Sequence, residues 1–225
     1  MIALTTLVYL PVLRNGFIFD DGYHVTQNAM VRHPAGVGMI WTSFLMPCYY
    51  PITFTTFWLI YQLWGPNPLP FHAITLMFHI INAVVVFFIL RRLKICGAWV
   101  IAAIWAIHPV NVESVAWIAE LKNTLSGTFF FLSILSYLRF ECEPESRWFD
   151  VSLLCFAAAL LSKSATVVLP AVLLACCWWQ RGRLTRVDLL RSRHFIALAL
   201  VAAVVAIYGE LRENWMLGED RKAHV

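Results

Sequence analysis

The chain has 225 residues, of which 60% are hydrophobic and only 13% are charged, and its mean hydropathy is +0.71. A soluble domain carries about 25% charged residues, so this composition excludes an ordinary soluble globular protein. The net charge of +4 does not indicate nucleic-acid binding, because the basic residues lie between apolar segments and not on one face. The six cysteines form no C-x-x-C pair, so we expect neither a disulfide framework nor a zinc site.

Seven apolar segments predict an all-α, polytopic membrane protein with about seven transmembrane helices. They lie near residues 1–13, 71–90, 97–108, 124–138, 149–162, 165–179 and 195–208. The first segment would reach only about 20 Å into a hydrocarbon core about 30 Å thick. It therefore predicts either a tilted helix or a chain that begins late, and we favour the late start. Ser162-Lys163-Ser164 interrupts the long apolar run 149–179, which predicts a helical hairpin with Lys163 at its turn.

Basic residues in the short loops predict the orientation, because cytoplasmic loops carry more Lys and Arg. One alternating set of loops contains Arg91, Arg92, Lys94, Arg139, Arg147, Arg181, Arg183, Arg186, Arg191 and Arg193. The internal loops of the other set contain only Arg14, Arg32, Lys122 and Lys163. We therefore expect one transmembrane module over 1–208 with a basic cytoplasmic loop at 180–194. Segments 14–70, 109–123 and a polar tail at 209–225 are then extracytoplasmic.

The first extracytoplasmic loop, 14–70, predicts short amphipathic helices along the membrane surface. Its apolar and aromatic stretches contain Trp41, Trp58 and Trp64, and tryptophan is enriched at membrane interfaces. We expect one short helix over Val37–Met46 and a second over Ile52–Trp64. Pro47 and Pro51 would separate them, and Gly65-Pro66-Asn67-Pro68 would end the second.

An acidic pair, Asp20–Asp21, follows the first apolar segment in the sequence Asn15-Gly-Phe-Ile-Phe-Asp20-Asp21-Gly22. Two adjacent carboxylates repel each other, and desolvation can raise the pKa of one of them. Such a carboxylate can accept the proton of a hydroxyl nucleophile. The alternative is an Asp-Gly turn that caps the next element.

The second apolar segment carries His72, His79 and Asn82 at spacings that put all three on one helical face. Polar side chains within a span usually face the protein interior or a cavity. For His79 and Asn82 we favour hydrogen bonding between helices. His72 lies nearer the outer end and is a candidate to line a site.

The loop 109–123 carries a second polar motif that begins at His108. Pro109 is expected to end the third helix, and Glu113, Trp117 and Glu120 would share one helical face at spacings of four and three. His108 and Glu113 lack a favoured metal-ligand spacing and a third ligand, so we expect no metal here. These residues and Lys122 are instead expected to lie beside the acidic pair.

Lys163 is a costly residue inside an apolar stretch, which makes a functional role the default hypothesis. At an outer turn it could bind the phosphate of a lipid carrier. The alternative is that its side chain snorkels to the interface without a specific ligand.

In this order, these motifs resemble the N-terminal membrane half of the transmembrane and tetratricopeptide-repeat-containing O-mannosyltransferases and their bacterial relatives. That family has the GT-C glycosyltransferase fold, and the resemblance covers residues 15 to about 180. The matching residues are Asn15-Gly-Phe-x-Phe-Asp20-Asp21, Tyr49-Tyr50-Pro51-Ile52-Thr53, Gly65-Pro66-Asn67-Pro68, Phe71-His72 with His79 and Asn82, His108-Pro-Val-x-Val-Glu113-Ser-Val-Ala-Trp117, and Leu161-Ser-Lys163. Many members have Arg where this chain has Tyr50, so one potential phosphate contact is missing.

The resemblance implies a membrane glycosyltransferase with Asp20 or Asp21 as catalytic base, and Asp20 is preferred. The donor would be a sugar, with mannose as candidate, on a polyprenyl or dolichyl phosphate. The acceptor would be an extracytoplasmic hydroxyl, with a protein Ser or Thr, or a glycan, as candidate. Contacts to substrate or lipid phosphate are implied for Lys163, His72, His108, Glu113, Tyr49 and Tyr50. Supporting positions are implied for His79, Asn82, Trp117, Glu120 and Lys122.

No cofactor and no divalent metal is expected, and the implied partners are membrane lipids, the lipid-linked sugar and the acceptor. The further spans and the repeat domain of the family are not in this sequence. We therefore expect a fragment or a minimal version, to which another chain could supply those parts. A non-catalytic membrane subunit, scaffold or truncated relic is the alternative function. A bacterial inner membrane is favoured over the endoplasmic reticulum.

Overall fold

A computed structural model of the chain describes residues 1–44 and 48–223, and within those ranges the protein is helical with no β-strand. This confirms the predicted all-α class. The α-helices are α1 Ile2–Tyr9, α2 Ala29–Arg32, α3 Gly36–Thr42, α4 Pro51–Trp64, α5 Pro68–Arg92, α6 Ala98–Ile107, α7 Val112–Ala116, α8 Leu121–Cys142, α9 Ser146–Ser162, α10 Leu169–Arg181 and α11 Arg186–Ala223. Short 3₁₀ or π turns cover Leu10–Arg14, Gly22–Thr26, Pro109–Asn111, Ile118–Glu120 and Ser164–Val168.

Within the described ranges, two helices are long and apolar enough to cross a membrane, namely α5 and the first 24 residues of α11. A third candidate is α6 together with the stretch Pro109–Ala116, which is bent by 50° from it. Each of the seven predicted segments lies on a helix, but the count of seven spans is not confirmed. The reason is length, because α6 and α10 would extend only about 15–20 Å at 1.5 Å per residue, whereas the hydrocarbon core of a bilayer is about 30 Å thick.

The centre of the bundle is α8, which packs against α5 and α9. Ser133 on α8 and Ser152 on α9 exchange hydrogen bonds, each hydroxyl donating to the other residue's carbonyl oxygen at 2.8 Å. Small side chains let the two helices approach closely, and the reciprocal bonds satisfy both hydroxyls in an apolar interior. The contact fixes α8 between its neighbours and so fixes the position of the loop that precedes it.

The loop 14–70 folds onto one end of this bundle. Phe54, Phe57 and Phe71 lie with Ile118 in one buried cluster, which joins the loop to the start of α5 and to the second loop. Two short helices were predicted here, and they are observed as α3 and α4, whereas α2 was not predicted. Gly65 ends α4 with φ of 67°, a conformation that favours glycine. Pro47, and the end of the predicted stretch 37–46, lie outside the described residues.

The predicted break at Lys163 is confirmed. α9 ends at Ser162, Lys163 is extended with φ of −161° and ψ of 126°, and a 3₁₀ turn leads into α10. The polar Ser162-Lys163-Ser164 sequence therefore separates two helices, as its interruption of the apolar run indicates.

The prediction of a basic loop at 180–194 is wrong, because α11 already begins at Arg186. Thr185 and Asp188 form a capping box that starts this helix. The Thr185 N–H donates to Asp188 Oδ2 at 2.8 Å, and the Asp188 N–H donates to Thr185 Oγ1 at 3.3 Å. The polar tail predicted from 209 is also helical as far as Ala223, since its Leu, Arg and Glu residues are good helix formers. His224 and Val225 lie outside the described residues.

The second loop is also less regular than predicted. Glu113, Trp117 and Glu120 do not share one continuous helix, because α7 ends at Ala116 and Trp117 is extended, with φ of −104° and ψ of 122°. A continued helix would use the Ala119 N–H to bond the carbonyl of Val115. That N–H instead donates to the carboxylate of Asp21, which explains the interruption.

Candidate functional site

The acidic pair is divided between two environments. The side chain of Asp20 is exposed, whereas Asp21 is fully buried. Asp21 Oδ2 accepts the Ile18 N–H at 2.8 Å, and Asp21 Oδ1 accepts the Ala119 N–H at 2.7 Å. Burial raises the pKa of Asp21, although these two amide hydrogen bonds and the charge of His72 act in the opposite direction. Asp21 therefore links the first loop to the second and leaves Asp20 facing outward.

His72, near the start of α5, is buried close to Asp21 and influences the pKa of that carboxyl group. The backbone of Asn15 and Gly16 lies near the imidazole. Neither ring nitrogen has a well-aligned hydrogen-bond partner among the described residues. Because buried polar atoms are usually paired, this imidazole is a candidate to bind a group that enters the site.

A group that we call the lysine cluster contains Glu120, Lys122, Asn123 and Lys163. Glu120 accepts hydrogen bonds from Lys122 Nζ at 2.8 Å and from Asn123 Nδ2 at 2.6 Å, while Lys163 Nζ lies 3.9 Å from its carboxylate. Lys163 also donates to Asn123 Oδ1. Burial lowers the pKa of Lys163, and the negative charge of Glu120 opposes this shift. Since Glu120 directly follows Ala119, the Asp21 hydrogen bond brings this cluster beside the acidic pair.

His24 lies between the acidic pair and the lysine cluster. Its Nδ1 is 3.0 Å from the carbonyl oxygen of Asp20, and its ring stacks parallel to Phe54 with centroids 5.8 Å apart. Burial lowers the pKa of His24, which also responds to the charges of Lys122, Asp20 and Asp21. His24 was not predicted from the sequence, although its spacing of four residues from Asp20 is typical of a shared helical turn. Asn123 was missed as well, despite lying next to Lys122.

The residue before the acidic pair is unusual in two respects. Phe19 has a positive φ of 43° and an 86% exposed side chain. A bulky residue with positive φ is uncommon, and such strain occurs preferentially at functional sites. Its ring contacts Trp117 edge to face at 5.9 Å, and Trp117 in turn lies close enough to Asp21 to influence the pKa of Asp21.

Two adjacent tyrosines, Tyr49 and Tyr50, lie where the start of α4 meets the break at Lys163. The Tyr50 hydroxyl is 3.1 Å from Ser164 Oγ, and Thr53 Oγ1 donates to the Ser162 carbonyl at 2.9 Å. The Tyr49 hydroxyl instead donates to the carbonyl of Trp41 at 3.0 Å. Tyr49 and Ser164 also line an apolar cavity of about 210 Å³ between α9 and α11.

Three predicted residues have partners elsewhere. The exposed His108 caps the turn after it, since its Nδ1 accepts the Val110 N–H at 3.2 Å. His79 Nε2 bonds the carbonyl of Ala106 at 2.7 Å, and Asn82 Nδ2 donates to the carbonyl of Thr124 at 2.8 Å. The bond of His79 connects α5 with α6, and the bond of Asn82 connects α5 with α8. No described contact joins these three side chains to the acidic pair.

Glu113 occupies an intermediate position. Its side chain is exposed, and its negative charge reaches Lys163 strongly enough to influence the pKa of that lysine. It therefore lies at the edge of the lysine cluster.

The described residues define an all-helical membrane protein in which the bond from Ala119 to Asp21 links an acidic pair to a cluster with two lysines. Comparisons with known proteins agree with that class. Protein O-mannosyl-transferase Tmtc1 of Drosophila melanogaster is 27% identical over 177 residues, which are 73% of this chain and 21% of the relative. Human protein O-mannosyl-transferase TMTC3 is 26% identical over 200 residues, 80% of this chain and 21% of the relative. Mouse TMTC1 is 31% identical over 149 residues, 59% of this chain and 16% of the relative.

These matches confirm the resemblance to the transmembrane and tetratricopeptide-repeat-containing O-mannosyltransferases, and the chain is related to that family. It spans about a fifth of the length of the curated relatives it matches. No protein-family model and no solved structure matches the chain. The expectation of a bacterial inner membrane finds no support, because these relatives are animal proteins.

Proposed function

We propose that this chain carries the catalytic end of a GT-C type membrane glycosyltransferase. It would transfer a sugar from a polyprenyl or dolichyl phosphate to an acceptor hydroxyl. The observation that carries the proposal is the hydrogen bond from the Ala119 N–H to Asp21, which joins the segment of the exposed Asp20 to the segment of the lysine cluster. A proton acceptor and a source of positive charge are the two groups that such a transfer requires.

In the proposed reaction, Asp20 removes the proton of the acceptor hydroxyl. The hydroxyl oxygen bonds to the anomeric carbon with inversion, while the bond from that carbon to the phosphate oxygen breaks. The departing lipid phosphate keeps the electron pair, and Lys163 and Lys122 stabilise its negative charge. The names of the relatives favour mannose as the sugar and a protein as the acceptor, with a Ser or Thr side chain supplying the hydroxyl.

The donor lipid is proposed to reach this site along the apolar cavity between α9 and α11. The cavity holds about 210 Å³ and includes Ser164, the residue after Lys163. Its other walls are mainly Ala, Leu and Val, which suit the first carbons of an isoprenoid chain. A lipid in this position would present its phosphate to Lys163.

The decisive experiment replaces Asp20 with Asn in the chain purified in lipid nanodiscs. Transfer of mannose from dolichyl phosphate mannose to acceptor peptides is measured by mass spectrometry. We expect Asp20→Asn to lose about 10²–10⁴-fold in rate, the usual contribution of a general base, with unchanged thermal stability. Asp150→Asn is a matched control, because this exposed residue lies at the start of α9, away from the site. Full transfer by Asp20→Asn would refute the proposed base.

A second candidate function is a non-catalytic membrane subunit. It is favoured by the fact that both carboxylate oxygens of Asp21 already bond backbone amides, as a purely structural residue would. On this hypothesis, replacing Asp20 or Asp21 changes stability at most, and no variant affects transfer.

We also propose that the site is extracytoplasmic and that the seven apolar segments each enter the bilayer. The chain supplies its own probes, because Cys48 is exposed near the site, whereas Cys96 and Cys142 are exposed at the other end of the bundle. A membrane-impermeant maleimide added to intact cells is expected to label Cys48 alone. Labelling of Cys96 and Cys142 without Cys48 would reverse the orientation.

A further inference from the structure

A second, larger cavity of about 630 Å³ lies between α5, α8 and α9. Its lining includes the basic Arg91, Arg92 and Arg139, the aromatic Trp148, and apolar residues such as Leu132 and Val151. Arg92 follows His72 by twenty residues on α5, so the cavity lies about 30 Å from the acidic pair along that helix. It is therefore separate from the proposed catalytic site.

We propose that this cavity binds the phosphate headgroup of an anionic glycerophospholipid. Arginine presents a planar fork of donors that matches phosphate oxygens better than a lysine does. Three such side chains around one cavity give it a positive potential that favours an anion. Basic pockets between the ends of transmembrane helices are a recognised setting for anionic headgroups.

The arginines of this cavity are only weakly neutralised by the protein. Arg139 lies 3.4 Å from Glu143, but both side chains are largely exposed, at 40% and 51%, and exposed pairs of this kind contribute little. Its guanidinium also lies 3.8 Å from the ring centroid of Trp148. Arg91 contacts the ring of Phe87 at 5.7 Å. Among the described residues, neither Arg91 nor Arg92 forms an ion pair with a carboxylate, so charge remains available for a ligand.

Trp148 provides an independent sign that a polar ligand belongs here. Its indole Nε1 is buried and has no hydrogen-bond partner among the described residues. A buried donor without a partner is costly. A phosphate or ester oxygen in the cavity that Trp148 lines would supply the missing acceptor.

The walls favour a lipid over free phosphate. Phe88 is 44% exposed and Val151 is 36% exposed, so the cavity has apolar residues at the surface of the helices, where acyl chains would lie. The volume suits a headgroup and the first carbons of its chains, since ligand pockets hold about 300–1,000 Å³. The longer parts of the chains would remain in the bilayer.

The test compares lipid binding by the full chain and two double variants, using native mass spectrometry and thermal unfolding in mild detergent. Arg92→Gln with Arg139→Gln removes two cavity charges. Arg183→Gln with Arg193→Gln removes two exposed charges that do not line the cavity. We expect phosphatidylglycerol to bind and stabilise the original chain and the second variant, with about tenfold weaker binding to the first. Equal weakening of both variants would mean non-specific attraction and would overturn the proposal.

A third variant keeps the proposal testable if the double cavity variant does not fold. Val151→Phe adds bulk at the apolar wall and leaves every charge in place. It is expected to weaken binding of phosphatidylglycerol. Two further probes identify the ligand class, and the proposal is overturned if inorganic phosphate or phosphatidylcholine stabilises the original chain as much as phosphatidylglycerol does.

Discussion

Two charged groups at opposite ends of the bundle show how differently the chain uses ion pairs. The group at the far end, which we call the arginine network, contains Glu141, Arg181, Asp188 and Arg191. Arg181 bonds Glu141 at 2.9 Å and Asp188 at 2.6 Å, and Arg191 bonds Glu141 at 2.8 Å. The lysine cluster also combines acids and cations, but Lys163 stands 3.9 Å from its nearest carboxylate oxygen.

The difference separates a structural network from a site that can accept a ligand. In the arginine network, Asp188 is also bonded by the Thr185 N–H and hydroxyl, so its carboxylate has several donors. Cys177 lies within 4.8 Å of both acids, but the arginines already neutralise them, so we do not infer a metal site. The lysine cluster instead leaves Lys163 without a close ion pair among the described residues, and its Glu120 directly follows Ala119, the residue whose N–H bonds Asp21.

The largest effect on stability is expected in the arginine network. Arg181→Met removes the cation that Glu141 and Asp188 share and leaves Asp188, which is fully buried, without its ion pair. Breaking a fully buried pair on one side typically costs about 3–5 kcal/mol, and we expect the lower end of that range because Arg181 is 35% exposed and Thr185 still bonds Asp188. Chemical unfolding followed by circular dichroism measures the change. Arg183→Met, in the exposed loop next to it, is the control and should change stability by less than about 0.5 kcal/mol. Equal stability of both variants would show that the network contributes nothing.

A smaller loss of stability is expected at the acidic pair. Asp21→Asn leaves one acceptor oxygen, so either the part-buried Ile18 N–H or the buried Ala119 N–H loses its partner. Leaving such a donor unpaired costs about 1–3 kcal/mol. Asp20→Asn, one residue away and exposed, is the matched control and should leave unfolding unchanged. If the two variants unfold alike, Asp21 does not link the loops.

The same carboxyl group has a pH dependence with a definite sign. Because burial raises the pKa of Asp21, the folded state holds this proton more tightly than the unfolded state. The stability that protonation of Asp21 gives to the folded state is therefore fully present below its unfolded pKa, and it is lost as the pH rises through its folded pKa. The free energy of unfolding of the original chain should therefore fall relative to that of Asp21→Asn as the pH rises through that range, and parallel pH profiles would contradict the shift.

The sequence predicts the elements better than it predicts their contacts. Apolar runs, Gly65 and the polar break at Lys163 have local causes, and the structure confirms each of them. The capping box of Thr185 and Asp188 was also visible in the sequence, but the basic residues around it suggested a loop. In contrast, the bond between Asp21 and Ala119 joins residues 98 positions apart. No local pattern predicts such a contact, and it is this bond that interrupts the expected helical face of Glu113, Trp117 and Glu120.

The smallest effect on stability, with a distinct effect on catalysis, is expected at Lys163. Lys163→Gln leaves Glu120 with Lys122 and Asn123 as partners, so unfolding should change by less than about 1 kcal/mol. Sugar transfer should fall by about 10²–10³-fold, the usual cost of losing one group that stabilises a developing anion. Lys94→Gln, exposed at the other end of the bundle, is the control and should retain full transfer.

A charge-preserving variant then separates catalysis from packing. Because burial lowers the pKa of Lys163, transfer by the original chain should decline as the pH rises through a value below the usual 10.5 of a lysine. An arginine stays protonated across that range, so Lys163→Arg should retain measurable transfer and show this decline only at higher pH. The same alkaline decline in both proteins would assign it to another titrating group. Lys163 would then have a structural role, as the ion-paired residues of the arginine network do.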